Sequence, residues 1–448
     1  MAEPISTILY NRAAITSLDE KQTVDLSKSI ISFDYYEDIL QQSITATIKI
    51  ESMYSYVNQL PIRGGERVDI DLLVSFGEVT GPDAGFKLTN DTPLYVYKVS
   101  DWNTQRMIES CTLHLTSIEH FSNQSTRCRK KYNFNSISDH VEDILKNTLQ
   151  TKKDIKVEAT ANSYTFIGNS KKPFYTLSWL GTKSISQVTE KSGVSGEGKY
   201  AENKGTAGFL FYENKKGFHF RSIDSLVSNT QVQDKKSDLE PKQYYHVGGK
   251  VIEENKLYNS LKILNYSLEK NIDLKKSLSI GMYCNQFYYY NTQSNELSLY
   301  NYKLKEEIKN ATKLGNEESI TVNSEYADVP TRTMFRTSDH GVLNPSGSLT
   351  ESQSDSGGDA ILAKSVSRIN LLFTQALNIM VPLNVELAVG DFIYCEFPKL
   401  EGGDAVEVDD QMSGNYVIRE IHHEFIANQN KSSLLLMRDS YGLYGQNQ

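Results

Sequence analysis

Between residues 44 and 50 apolar and polar side chains alternate, with Ile44, Ala46, Ile48 and Ile50 on one side and Thr45, Thr47 and Lys49 on the other. Val68, Ile70, Leu72, Val74 and Phe76 repeat the pattern against Asp69, Asp71 and Ser75, and so do Cys111, Leu113 and Leu115 against Thr112, His114 and Thr116. Period-two alternation sends successive side chains to opposite faces, so these segments predict sheets with one buried and one wet face. Gly64-Gly65 and the stretch from Gly81 to Gly85 mark turns between strands. Residues 1–120 read as an antiparallel barrel or a strongly curved sheet.

The period changes over residues 121–204. Ser136, with Asp139 three residues on, opens a helix whose Ile137, Val141, Ile144 and Leu145 share one face. Pro173 suits a first helical turn and predicts a second helix that buries Phe174, Leu177 and Leu180. Trp179 fits core packing. This is a small α-containing domain.

Residues 207–224 (AGFLFYENKKGFHFRSID) return to β structure. The run Phe209–Tyr212, a polar turn ending in Gly217, and Phe218 and Phe220 alternating with His219 and Arg221 predict a hairpin with Gly where φ must be positive. Phe218 and Phe220 are expected to face the core of a second β unit that begins with residues 205–250. An insertion, 251–357, carries two expected strands at Met282–Tyr290 and Leu297–Tyr302, and residues 337–358 read as a mobile loop. The second β unit resumes over 358–448. It holds a helix bearing Ile361, Leu362, Val366, Ile369 and Phe373, a strand stopping at Pro382, a strand at Phe392–Phe397, an acidic hairpin loop from Gly402 to Gly414, and strands at Tyr416–Ile421 and Ser433–Met437. The fold class is α+β, β-dominated, with two β units and the insertion in the second.

Composition narrows the function. The chain has 448 residues, 39 % hydrophobic, with a formal net charge of −9. No run approaches the ~18 apolar residues of a membrane helix, and Met1-Ala2-Glu3-Pro4 does not open a signal peptide. The four cysteines are scattered without a CxxC pair, which argues against a disulfide framework or a zinc knuckle and for a reduced, cytosolic chain. General nucleic-acid affinity needs a basic footprint, and the cluster Arg127–Lys131 reads as a solvated loop. Twenty-seven tyrosines favour a role in assembly.

Candidate chemistry is weak throughout. Gly193-Val194-Ser195-Gly196-Glu197-Gly198-Lys199 fits seven positions of a phosphate loop, but Tyr200 stands where a Ser or Thr must hold magnesium, and the flanks are polar. ATP binding is rejected. His422 and His423 are adjacent, so on a strand they face opposite ways and cannot share an ion; one is expected in the core and one exposed. Glu401, Asp404, Glu407, Asp409 and Asp410 lack the spacing of a calcium loop and read as a solvated hairpin tip, or else as an interface or lumen lining. An acidic lumen would keep DNA phosphates from sticking. Asp391 reads as a turn residue, and Arg438-Asp439 as a surface ion pair worth ~0–1 kcal/mol.

Several stretches together resemble the baseplate hub protein of T-even-type contractile-tailed phages, in the branch found in marine cyanophages. They are Leu60–Val68, Pro173-Phe174 with Trp179-Leu180, Phe218–Asp224, Val381-Pro382 followed by Gly390–Ile393, and Gly414–Ile418 with His422-His423 and Met437–Asp439. The resemblance implies two antiparallel β-barrel (tube-type) domains per chain and a homotrimer presenting six barrels in a pseudo-hexameric ring. That ring would adapt a six-fold tail tube, or tube-initiator proteins, to a three-fold central spike, with other baseplate proteins around it and genomic DNA only in transit. The implied location is the virion after assembly in the host cytoplasm, with no membrane partner. No catalytic residue, cofactor or metal is implied. Arg63 and Glu66, in the first of these stretches, join the acidic loop as candidates for the interface or lumen. The alternative is a tail-associated hydrolase or carbohydrate-binding protein.

Overall fold

The computed structural model describes residues 7–53, 60–75, 84–89, 92–105, 107–187, 206–227, 242–246, 261–270, 273–291, 295–307, 313–315, 324–337, 358–399, 408–426 and 430–442. The phosphate-loop mimic at 193–200, most of the expected mobile loop, and Glu401, Asp404 and Glu407 lie outside these residues.

The N-terminal strands are β1 (Thr7–Thr16), β2 (Thr23–Asp25), β3 (Ile30–Asp38), β4 (Thr45–Ser52), β5 (Arg67–Ser75), β6 (Ala84–Leu88), β7 (Leu94–Gln105) and β8 (Ile108–Ser117). The middle of the chain supplies β9 (Lys131–Ser136), β10 (Ile155–Val157), β11 (Ser163–Ile167), β12 (Phe209–Asn214), β13 (Gly217–Ser222), β14 (Lys242–Tyr245) and β15 (Asn265–Lys270). The insertion contributes β16 (Cys284–Asn291), β17 (Glu296–Lys303) and β18 (Arg332–Thr337), and the C-terminal part β19 (Gln375–Pro382), β20 (Phe392–Glu396), β21 (Gly414–Ile426) and β22 (Lys431–Arg438).

Fourteen of these strands form one sheet. Its path runs β15-β19-β22-β21-β3-β4-β8-β7-β5-β1-β2, with β20 on β21, β14 on β20 and β6 on β5. The two β units are therefore joined, through antiparallel pairing of β3 with β21. The path has two free ends, so among the described residues no sheet closes into a barrel. The β-dominated reading stands; the strands bend around two cores instead of forming two closed barrels.

The alternating positions behave as their period requires. Ile44, Ala46, Ile48, Ile50, Val68, Ile70, Leu72, Val74, Cys111, Leu113 and Leu115 are all buried in the first core, together with Phe33 and Tyr35. Leu383, Val385 and Phe425 from the C-terminal part complete that core, so neither half is sealed alone. The second core gathers Leu377, Ile379, Val381, Ile393, Tyr416, Ile418, Ile421, Leu434 and Leu436.

The α-containing region has its own core. The Ser136 hydroxyl accepts from the Asp139 amide at 3.2 Å and caps the helix Ile137–Asp143, which runs on into a π-helical turn, Ile144–Thr148. The helix Pro173–Gly181 buries Phe174, Leu177 and Leu180. Trp179 packs on Tyr164 and Phe166, with ring centroids 5.7 and 5.4 Å away, so it belongs to this region's own core.

The hairpin forms where the turn signal placed it, with Asn214 opposite Gly217 and Gly217 at φ +117°. A Cβ at Gly217 would also collide with the Asp154 carbonyl, where β10 lies alongside β13. The destination of its aromatic face differs from expectation. Phe218 and Phe220 pack with Phe209 and Phe211 against Ile137, Val141, Phe174 and Leu177, the core of the α-containing region. Leu210 and Tyr212, on the opposite face, enter the second β core. A strand buried on both faces serves two cores, and alternation alone cannot say which face meets which.

In the insertion β16 lies between β17 and β18. Phe287, Tyr289 and Tyr302 pack beneath the helix Gly358–Leu372 through Ala363 and Leu371.

Candidate functional site

Two kinds of polar construction stand out, buried clusters at the joints between regions and a wet face along the joined sheet. At the first joint Lys153 Nζ lies 2.9 Å from Glu119 Oε2 and also bonds Glu213, and all three side chains are at most 3 % exposed. Glu213 further accepts from Ser117 Oγ at 2.7 Å and Ile44 N at 3.0 Å, and Glu119 from Thr151 Oγ1 at 2.6 Å. The cluster ties β4 and β8 to the hairpin. Burial, with the nearby Glu119 charge, pushes the Glu213 carboxyl up against the pull of Lys153.

At the second joint Glu37 accepts from Tyr35 OH (2.7 Å), Lys215 N (2.7 Å) and Val389 N (2.9 Å), linking both β units to the hairpin turn. At the third, Arg368 donates to Asp224 Oδ1 at 2.7 Å and Asp439 Oδ2 at 2.8 Å. Asp439 therefore pairs with Arg368. Arg438 is fully buried, donates to the carbonyls of Ser413 and Gly442, and lies over the Tyr416 ring. The expected surface pair Arg438-Asp439 is replaced by two buried networks, because both residues sit where the C-terminal chain turns back over the second core.

The wet face centres on the pairing of β3 with β21, which sets His422 opposite Tyr36, Glu424 opposite Asp34 and Glu420 opposite Asp38. Like charges directly opposite on a sheet repel. Local partners offset this. His422 donates to Asp34 Oδ1 at 2.8 Å and stacks on Tyr36 at 4.4 Å, Lys431 reaches Glu424 at 2.8 Å, and Arg419 reaches Glu420 at 2.8 Å. Burial pushes the Asp38 and Glu420 carboxyls up; for Glu420 the charges of Asp38 and Glu269 add to the effect, and Arg419 opposes it. Beside this pair a groove of about 510 Å³ crosses β15, β19, β22, β21, β3 and β4.

The histidine pair splits as strand geometry demands. His423 is fully buried, 2.8 Å from Ser432 Oγ and near Tyr35, and His422 is on the wet face. Burial first, with nearby positive charges, drives His423 to about 3, and the same holds for His219, which meets Asn214 Oδ1 at 2.9 Å. The unfolded chain takes a proton at each below about 6.5, and the folded chain does not until about 3. Each histidine therefore withdraws about 1.4 kcal/mol of stability per pH unit as pH falls through that window. Glu37 and Glu158, raised by burial, act in the opposite sense nearer their usual range. We expect urea midpoints to fall between pH 7 and 5, and the double change His219→Gln, His423→Asn to flatten that slope. An unchanged slope would remove both histidines from the account.

No family model matches the chain, and no curated protein does. Solved structures do match over nearly its whole length. A tail protein from Neisseria meningitidis MC58 aligns over 97 % of this chain and 97 % of that one, with a TM-score of 0.52 and 10 % identity. The 43 kDa tail protein of prophage MuSo2 from Shewanella oneidensis aligns over 96 % and 98 %, with a TM-score of 0.50 and 7 % identity. The chain has the fold of a phage tail protein. This agrees with the resemblance drawn from the short stretches along the sequence.

Within this tail-protein fold the expected site residues separate. Glu66 is 1 % exposed and its carboxylate accepts from Arg63 N at 2.6 Å and Gly64 N at 2.9 Å. It holds the Gly64-Gly65 turn from inside; Arg63 is exposed. Asp409 Oδ1 accepts from Gln411 N (2.9 Å) and Met412 N (3.1 Å), shaping the turn between β20 and β21, and Asp410 is exposed beside it. Asp391 is the turn residue expected, accepting from Ala388 N at 2.9 Å. Among the described residues, no group of three or more His, Cys, Asp or Glu side chains could hold a metal ion. The wet face of β3 and β21 was not singled out from sequence. Its strands alternate visibly, but a pairing across almost 390 residues leaves no local signal.

Proposed function

We propose that the chain is a structural subunit of a phage contractile-tail baseplate, the hub that adapts a six-fold tail tube to a three-fold spike. The observation that carries this reading is the single sheet running through both β units by way of β3 and β21. Three copies, each with two curved β units, would present six such units, and heterologous contacts between copies can close into a ring. The tail-protein fold supports the reading. So do the buried charged clusters at each joint, which fit a rigid building block. In this proposal the wet face of the sheet lines the lumen, and Asp410 and Arg63, together with Glu401, Asp404 and Glu407, sit at the lumen or between subunits. The acidic character of the face would let DNA pass without adhering. The chain acts by shape, in the virion, with the central spike and the tail tube as its neighbours.

The test is mass and symmetry. Light scattering of the purified chain, alone and with its spike, should give about three times 50.7 kDa per ring, and negative-stain images should show a ring with six lobes. A chain that stays at 50.7 kDa in both samples sinks the proposal.

A further inference from the structure

The wet face assigned to the lumen also carries the groove beside the β3–β21 pairing, where acidic side chains gather in a concave trough. Its lining includes Asp38 and Glu420 on the wet face, the inward-turned Glu37, and His422, which Asp34 and Tyr36 already engage; among the described residues the lining holds no lysine or arginine. Glu269 stands at its edge, 3.3 Å from the lining residue Asn378. Arg419 is the cation that pairs with the groove's Glu420. It contacts Glu420 at 2.8 Å but reaches Asp38 only at 4.0 Å, and its guanidinium is held over the Phe373 ring. On the wet side of the groove Asp38, Glu420 and Glu269 therefore share Arg419. Tyr36, Tyr266 and Met380 give the walls apolar surface, and Ser433 adds a hydroxyl. The volume, about 510 Å³, is that of a ligand site. The groove is long: five strand spacings of about 4.8 Å make roughly 24 Å, the reach of about seven extended residues.

We propose that this groove receives an extended basic segment of a partner protein, with an arginine or lysine head seated between Asp38 and Glu420, its alkyl stem along Tyr36, and the segment continuing across Ser433 toward Met380. The choice of a peptide follows from shape and composition together. An open trough with apolar walls and side-chain hydroxyls and amides suits a chain of mixed side chains, and the excess of carboxylate selects its charge. The raised carboxyls of Asp38 and Glu420 are consistent with a site that a cation would complete. The groove lies within one chain, so its occupancy does not depend on ring assembly.

The test is calorimetric titration of the full chain with a blocked dodecapeptide of alternating arginine and serine, at low and moderate salt. Asp38→Asn with Glu420→Gln should weaken binding about tenfold or more. A control that removes the same charge from an exposed turn, Asp19→Asn with Glu20→Gln, should change it by less than about twofold. Ser433→Lys, which places an amine in the groove, should abolish binding while the thermal midpoint holds. Equal losses in the two double variants would mean diffuse attraction to an acidic protein and overturn the proposal. So would retained binding by Ser433→Lys, or no binding by the unaltered chain. Calcium chloride alone competing fully at about 1 mM would assign the site to a divalent cation instead.

Discussion

Lys153→Met should cost the chain about 3–5 kcal/mol at neutral pH, because it leaves Glu119 and Glu213 facing each other without their cation. Lys153 is 3 % exposed, and Glu119 and Glu213 are 3 % and 0 % exposed. Burial alone would lower the lysine's affinity for its proton, but the two carboxylates outweigh it and hold the ammonium charged. Once the ammonium is removed, the cheapest escape is protonation of a carboxyl in the folded state. The folded variant then binds more protons than the unfolded chain, so its deficit shrinks as pH falls toward the usual carboxylate range. Urea midpoints of the variant and the parent at pH 7.5 and pH 5 check this. A deficit equal at both would show that lost packing, and not stranded charge, is responsible. Combining Lys153→Met with Glu119→Gln and Glu213→Gln should recover most of the loss, since a buried ion cluster is often replaceable once no member is left unpaired.

Phe220→Ala should be comparably severe, about 3–5 kcal/mol, by opening a cavity in a fully buried site. Phe220 stands opposite Phe211 across the hairpin and 5.0 Å from the Phe209 ring. The loss should also be local. Hydrogen exchange should quicken first in the helices Ile137–Asp143 and Pro173–Gly181, whose Ile137, Val141, Phe174 and Leu177 share its core. The amides of β19 and β22, which belong to the other core, should follow only at global unfolding. Simultaneous loosening of both would place the aromatic face toward the second β unit, as the sequence suggested.

That contrast shows how much of the molecule could be read from its residues. Alternation in β4, β5 and β8 identified which side chains are buried because one face of those strands is wet. The Ser136 cap, Pro173 and Gly217 each marked an element boundary through local backbone chemistry. The hairpin's neighbours were illegible because both its faces are buried and the partners lie in different parts of the chain. That Glu66 turns inward to the amides of Arg63 and Gly64 was illegible too, because a carboxylate beside glycines on a loop does not say which way it faces. Arg438 and Asp439 are buried and not a surface pair because their partners, Ser413, Gly442 and Arg368, are not ones that adjacency in sequence reveals. The wet face of β3 and β21, and the groove beside it, depend on one long-range pairing that no window of sequence contains.

The same pairing shapes how the protein is made. Asp34 and His422 are 388 residues apart. At roughly 5–20 residues per second, the ribosome delivers β21 on the order of 20–80 seconds after β3. During that interval one edge of β3 has no native partner, and the first core lacks Leu383, Val385 and Phe425. Unpaired edges invite pairing with other chains. The nascent chain is thus most prone to aggregate just before β21 emerges, and truncation shortly before β21 should yield insoluble protein rather than a stable N-terminal fragment.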